Sequence, residues 1–109
     1  MKKLYNCNAE YDVYNLKSYN TMIIKRDGDL VYYNNYRSHT TLLHIRRYID
    51  KLCELNHFND YPSLNFISIV CRLYKVAREN KLVSGFTYNY KTDKISEMSY
   101  SACREVFFK

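Results

Sequence analysis

The stretch that decides the fold is Met22-Ile23-Ile24-Lys25-Arg26-Asp27-Gly28-Asp29-Leu30-Val31-Tyr32-Tyr33-Asn34. Two runs rich in β-branched and aromatic residues, which favour strands, flank its central Asp27-Gly28. That dipeptide is typical of a type I′ turn, whose two central residues both need positive φ. The pattern therefore predicts an antiparallel hairpin with strands at residues 18–25 and 29–34.

Two helical stripes follow the hairpin. Apolar side chains recur at helical spacing between residues 41 and 55, and Ser38 stands where an N-cap would accept from the first backbone N–H groups. We expect this helix to end near Asn56, with a connector at residues 57–60. A second stripe runs from residue 64 to 77, with Pro62 suited to its first turn and Asn80 at its end. The short connector predicts an αα-hairpin.

The segments outside the hairpin and helices have weaker patterns. Residues 82–90 alternate as a strand with Phe86, Tyr88 and Tyr90 on one face, which we expect to be the core face. A turn at 91–94 would let the chain pair back from Ile95. Residues 3–7 suit a short strand, 10–16 a loop or a strand, and 99–109 a helix or a strand. The sequence predicts one α+β domain over residues 1–109, an antiparallel sheet of two hairpins packed against two helices.

Composition limits the functions to consider. The chain has 109 residues, of which 47% are hydrophobic and 26% charged, as in an ordinary soluble domain. Its 13 Tyr residues suit half-buried sheet positions, and alternatively a Tyr-rich contact surface. The net charge of +6 favours an acidic partner, either nucleic acid or an acidic protein face. No apolar run approaches the ~20 residues of a membrane span.

The reactive side chains favour a protein without catalysis, metal or cofactor. Cys7, Cys53, Cys71 and Cys103 form no C-x-x-C pair, and no signal-peptide pattern occurs, so free thiols in a reducing cytoplasm are expected. Cys53 and Cys71 fall on the helical stripes, which predicts that they are buried. No two His or Cys residues have the spacing of a zinc site. The carboxylates are dispersed, and two glycines cannot build a phosphate loop.

The dense cluster of reactive residue types is Ser38-His39-Thr40-Thr41 with His44. A catalytic interpretation makes His44 a base for a Ser or Thr hydroxyl. A structural interpretation makes Ser38 the N-cap and lets His44 bond locally to Thr41, three residues earlier. The structural interpretation is favoured because local hydrogen bonds explain every member of the cluster.

The same stretch carries a resemblance. Tyr36-Arg37-Ser38-His39-Thr40-Thr41-Leu42-Leu43-His44-Ile45, preceded by the Asp27-Gly28 hairpin, resembles a family of small tailed-phage proteins. In that family a hairpin precedes a Tyr-x-Ser-x-Thr-Thr-x-x-His-Ile segment that opens a helix. The likeness covers about a quarter of the chain. The family has no assigned activity, so the resemblance implies a phage origin, and hence the cytoplasm of an infected bacterium.

In style the chain also resembles phage early proteins that disarm host defences, anti-CRISPR proteins among them. Such proteins are short, rich in Tyr and Asn, and without a linker. The expected function is therefore a non-catalytic inhibitor of a host defence protein, for example a CRISPR effector nuclease or its guide-RNA complex. The alternative is a small basic nucleic-acid-binding protein in phage replication or transcription.

The expected contact surface is basic and lies on the two helices and the hairpin. Cations can contact phosphate, and Tyr48 with Tyr74 could border the surface and stack on bases. The alternative is two ordinary solvated helix faces. The expectation is tested by Arg46→Glu with Arg47→Glu, which should abolish partner binding. The candidate residues are Lys25, Arg26, Arg46, Arg47, Tyr48, Lys51, Arg72, Lys75 and Arg78.

Overall fold

The computed structural model describes residues 1–36, 38–59 and 61–108. In these residues a seven-stranded antiparallel sheet packs with three helices, which confirms the α+β class. The strands pair in sequence order, so the sheet is a meander, with two helices inserted between its fifth and sixth strands. The predicted two hairpins and two helices therefore understate the number of strands and helices. The strands are β1 (Lys2–Lys3), β2 (Ala9–Asp12), β3 (Asn15–Ser18), β4 (Thr21–Asp27), β5 (Leu30–Asn34), β6 (Gly85–Asn89) and β7 (Lys94–Met98), and the helices are α1 (His39–Asn59), α2 (Leu64–Glu79) and α3 (Tyr100–Phe107).

The predicted central hairpin is present as β4 and β5, but its turn lies one residue later. β4 runs through Asp27 and β5 begins at Leu30, so the loop is Gly28-Asp29. Gly28 has φ +59°, whereas Asp29 is not among the residues with positive φ. That pattern belongs to a type II′ turn, in which glycine comes first. The type I′ prediction was wrong because it placed Asp27 in the loop instead of in the strand.

The sheet is covered on both faces. β5 alternates, with Val31 and Tyr33 in the large core that the sheet forms with α1 and α2. Tyr32, between them, meets Phe107 of α3 on the opposite face, with ring centroids 6.5 Å apart. Because successive side chains of a strand point to opposite faces, β5 contributes to the large core under α1 and α2 and to the smaller core under α3.

β6 confirms the core face that was predicted for the strand in residues 82–90. Phe86 and Tyr88 are buried in the large core, and Tyr90, just beyond the strand, packs against that core half-buried. The expected turn and returning strand are also present, as β7 pairs with β6 along its whole length.

The first helix begins as predicted and ends later. Ser38 Oγ accepts a hydrogen bond from the backbone N–H of Thr41 at 3.0 Å, which is the expected capping geometry. α1 then continues to Asn59, through most of the residues expected to connect the helices. Asp60, the last residue of that expected connector, lies outside the described residues.

Pro62 precedes α2 instead of forming its first turn. Ser63 is the N-cap, and its Oγ accepts from the backbone N–H of Phe66 at 3.2 Å. A Ser hydroxyl supplies the acceptor that the helix start needs, which Pro62 lacks. Asn80 caps the other end, as the sequence predicted.

The C-terminal segment, which suited helix or strand, is helical. Ser99 caps α3 by accepting from the backbone N–H of Ala102 at 3.1 Å, and Lys109 lies outside the described residues. Cys103 of α3 is buried, but Cys53 and Cys71 are exposed. Their predicted burial was wrong because the buried stripes of α1 and α2 pass through neighbouring positions, Leu52 and Val70.

Gly85→Ala should destabilise the protein more than Gly28→Ala. A Cβ at Gly85 would lie 2.6 Å from Cys103 Sγ and 2.7 Å from the backbone oxygen of Tyr33, so β5 or α3 must move, at about 2 to 3 kcal/mol. A Cβ at Gly28 meets open space and costs only its positive φ, about 1 kcal/mol. Urea unfolding of both variants measures the difference. An equal or smaller loss for Gly85→Ala would contradict the close packing of α3.

Candidate anion-binding groove

A groove of about 670 Å³ runs between α1 and α2 on the outer side of the helical hairpin. α1 and α2 pack against each other, and the side chains at the border of their contact form the walls. On α2 the lining positions recur every three or four residues, the spacing of one helix face. The lining residues are Arg46, Ile49, Cys71, Tyr74, Lys75, Arg78, Glu79 and Lys81.

Tyr74 organises the two arginines of the groove. Its hydroxyl accepts a hydrogen bond from Arg46 Nε at 3.1 Å, across the interface between the helices. Arg78, one turn further along α2, lies with its guanidinium carbon 5.5 Å from the centre of the Tyr74 ring. Tyr74 itself is only 7% exposed, so its ring has no face free to stack on a ligand. Its role in the groove is to hold the two guanidinium groups in place.

The groove is strongly cationic. Its described lining combines Arg46, Lys75, Arg78 and Lys81 with a single carboxylate, Glu79. The ion pairs formed among the described residues involve other side chains, so these four cations have no carboxylate partner there. Like charges gathered in a concavity raise the local positive potential, which an anion would relieve. The arrangement is therefore chemically suited to binding an anionic group.

An apolar wall completes the groove. Ile49 of α1 is half-buried and packs against the core, and Cys71 of α2 lies beside it in the lining. Although Cys71 is exposed, partial desolvation of its sulfur, and secondarily the nearby Cys53, raise the pKa of the thiol, so it stays protonated and uncharged at neutral pH. The groove lining thus combines cationic side chains with two uncharged ones.

Of the nine residues predicted for a contact surface, the groove brings together Arg46, Lys75 and Arg78. Tyr48 is instead fully buried, and its hydroxyl donates to the backbone oxygen of Val13 at 3.0 Å. Burial raises its pKa well above the usual range. Tyr48 therefore cannot border a contact surface, because the stripe that buries Ile45 and Leu52 includes it.

Two other predicted cations are engaged by neighbours away from the groove. Lys51 pairs with Glu54 at 3.2 Å and lies 4.9 Å from the centre of the Tyr5 ring. Arg72 Nη1 is 3.5 Å from Asp93 Oδ1, and a hydrogen bond from Tyr88, followed by the contacts with Arg72, lowers the pKa of that carboxyl. Both are exposed pairs of small energetic weight.

The two hairpin cations also lie elsewhere. Lys25 Nζ donates to the backbone oxygen of Val106 at 3.4 Å and so contacts α3, on the face of the sheet opposite the groove. Arg26 stacks between aromatic rings, 4.5 Å from the centre of Tyr14 and 4.7 Å from that of Tyr90. Its cation–π contacts tie the hairpin to the rest of the core face.

The Ser/Thr/His cluster forms a buried polar network. His44 Nδ1 lies 2.8 Å from Ser18 Oγ, and Ser18 Oγ lies 3.2 Å from Thr41 Oγ1, which in turn accepts from Ser38 Oγ at 2.8 Å. The predicted local bond from His44 to Thr41 is replaced by one to Ser18 of β3. Ser18 and His44 are each 2% exposed, so this hydroxyl–imidazole pair is closed to a substrate and joins α1 to the sheet.

Arg47 lies beside this network and not in the groove. Burial of the imidazole, followed by the charge of Arg47, lowers the pKa of His44. Arg46 and Arg47 therefore belong to different surroundings, and reversing both charges would perturb the network as well as the groove.

Sequence reasoning missed Lys81 and Glu79 as lining residues. A usable signal was present, since Lys81 follows Arg78 by three residues, just past the end of α2 at Glu79.

The described residues form neither a metal-binding cluster nor a membrane-spanning helix. No group of His, Cys, Asp and Glu side chains among them is arranged to hold a metal ion. The helices described fall short of the combined length and apolarity that crossing a bilayer requires. Comparison with protein-family models, curated proteins and solved structures finds no match to this chain.

Lowering the pH should reduce the free energy of unfolding, because His44 becomes protonated more readily in the unfolded chain. Its pKa in the folded state lies below the usual value of about 6.5, so the unfolded chain takes up the proton first as pH falls. The stability linked to His44 is complete above about pH 6.5 and declines as pH falls towards the lower folded pKa. Urea unfolding at several pH values measures the decline. His44→Gln should reduce its slope, and an unchanged slope would contradict this role.

Proposed function

We propose that this protein is a small, non-catalytic phage inhibitor that binds a host defence protein, a CRISPR effector nuclease in the first instance. The observation that carries the proposal is the groove between α1 and α2, where four cations lack a described carboxylate partner. Binding here requires an anionic surface, such as an acidic protein face or the nucleic acid loaded in an effector complex. The resemblance of the Tyr36–Ile45 segment to small phage proteins supports the biological setting.

In this proposal the inhibitor acts by covering an anionic surface of its partner. Arg46 and Arg78 contact the anionic group of the partner, since guanidinium forks bind carboxylate and phosphate in paired hydrogen bonds. Lys75 and Lys81 add charge at the rim, which speeds encounter with an acidic surface more than it adds affinity. The chain then blocks that surface sterically, without a chemical step.

Direct binding of nucleic acid is the second candidate. The same cations suit phosphate contacts, which would make binding depend steeply on salt. Base stacking has less support, because Tyr48 is buried and Tyr74 is covered by arginine. A mobility-shift titration with bare DNA and RNA over a salt series separates the candidates. Tight binding to bare nucleic acid would favour this second function over the first.

Arg46→Glu with Arg78→Glu should abolish inhibition, because it replaces both organised guanidinium groups by carboxylates. The measurement is the plating efficiency of a phage targeted by a CRISPR system on bacteria that express the protein. The wild-type chain should restore plating, and the double variant should not. Circular dichroism checks that the double variant is folded.

The matched control is Lys94→Glu with Arg104→Glu, which makes the same change in net charge at exposed positions on β7 and α3. It should inhibit as well as the wild-type chain. If both double variants lost inhibition equally, the loss would be due to net charge, and the groove would be overturned as the contact site. A wild-type chain that inhibits none of a panel of CRISPR systems would overturn the proposed target.

A further inference from the structure

We infer that the groove between α1 and α2 recognises a nucleotide by its terminal phosphate, either as a free nucleotide or as the phosphorylated end of a nucleic acid strand. The inference rests on the groove of the proposed function and names the chemistry that this groove receives. It does not depend on which defence protein is bound.

The size of the groove suits a ligand of this class. Its volume of about 670 Å³ lies within the range of small-molecule sites, about 300 to 1,000 Å³. Inorganic phosphate alone would leave most of the space unfilled.

The charges suit a phosphate with a charge of about −2. Arg46 uses Nε to bond Tyr74, and its terminal nitrogens form no hydrogen bond with a described residue. Arg78 lies over the ring of the same residue, so one tyrosine contacts both guanidinium groups. Lys75 and Lys81 complete a set of donors that offers several charge-assisted hydrogen bonds to phosphate oxygens.

The remainder of the lining suits a nucleoside. Glu79 is the groove's single described carboxylate, and a carboxylate accepts hydrogen bonds from hydroxyl groups such as those of ribose. Ile49 and the neutral thiol of Cys71 provide an apolar wall against which a base can pack. The lining of one groove thus contains groups suited to phosphate, sugar and base.

Isothermal titration calorimetry with the whole chain tests the inference, with adenosine monophosphate as the probe. Adenosine and inorganic phosphate are the component controls. The monophosphate should bind at least about tenfold more tightly than either. An oligonucleotide with a terminal phosphate, compared with the same strand ending in a hydroxyl, distinguishes a strand end from a free nucleotide. Preference for the phosphorylated strand over the monophosphate indicates the strand end as source.

Variants assign the binding to the groove. Arg46→Gln should weaken binding of the monophosphate by about tenfold. Tyr74→Phe keeps the ring but removes the hydroxyl that holds Arg46. This variant should bind the monophosphate about fivefold more weakly and bind adenosine as before. Arg104→Gln is the matched control, because Arg104 lies 5.9 Å from the centre of the Tyr100 ring on α3, and it should have no effect.

The results that overturn the inference differ from those that overturn the proposed function. Absence of binding by both the monophosphate and the phosphorylated strand, equal affinity for inorganic phosphate, or equal loss in Arg104→Gln would each sink the nucleotide site. Inhibition of phage defence could persist in all three cases. Conversely, groove-dependent nucleotide binding without any inhibition would leave the nucleotide site standing and reject the inhibitor.

Discussion

The buried hydrogen bond between His44 and Ser18, 2.8 Å long, sets the position of α1 on the sheet. It joins α1 to β3 at the start of the helix, and Thr41 reinforces it from the same side. Breaking it would leave polar groups unsatisfied in the interior, at about 1 to 3 kcal/mol. Hydrophobic side chains alone tolerate rotation of a helix, whereas a buried polar bond specifies one orientation. The network therefore fixes α1 about its own axis.

The orientation of α1 decides which cations can act together. Successive residues of a helix point about 100° apart. With His44 directed at β3, Ile45 enters the core, Arg46 reaches Tyr74 of α2, and Arg47 returns towards the imidazole. A groove with organised guanidinium groups thus follows from the polar network at the other side of the helix. The residues of the polar network thus shape the groove without lining it.

The sequence predicted the elements better than their number or their contacts. The hairpin, the Ser38 cap and both helical stripes follow from local chemistry, so periodicity and turn residues were enough. The seven-stranded sheet was underestimated because β1 has two residues and β2 and β3 have four each, too few for a firm strand pattern. Three groove cations were also predicted, since they repeat along helix faces. Tyr48 was misplaced in the surface because its burial depends on a contact far away in sequence, with Val13. Arg47 and Arg72 lie outside the groove because they neighbour the buried network and Asp93.

The central claim is that an anion binds between α1 and α2 and not diffusely over a basic protein. Nuclear magnetic resonance of the arginine Nε–H groups tests it most directly, during titration of the ¹⁵N-labelled chain with pyrophosphate at constant ionic strength. The account predicts saturable shifts for Arg46 and Arg78, with the signals of Arg72 and Arg104 unmoved. Equal, unsaturated shifts of all four signals would contradict it, because they would show that the groove is no more than part of a basic surface.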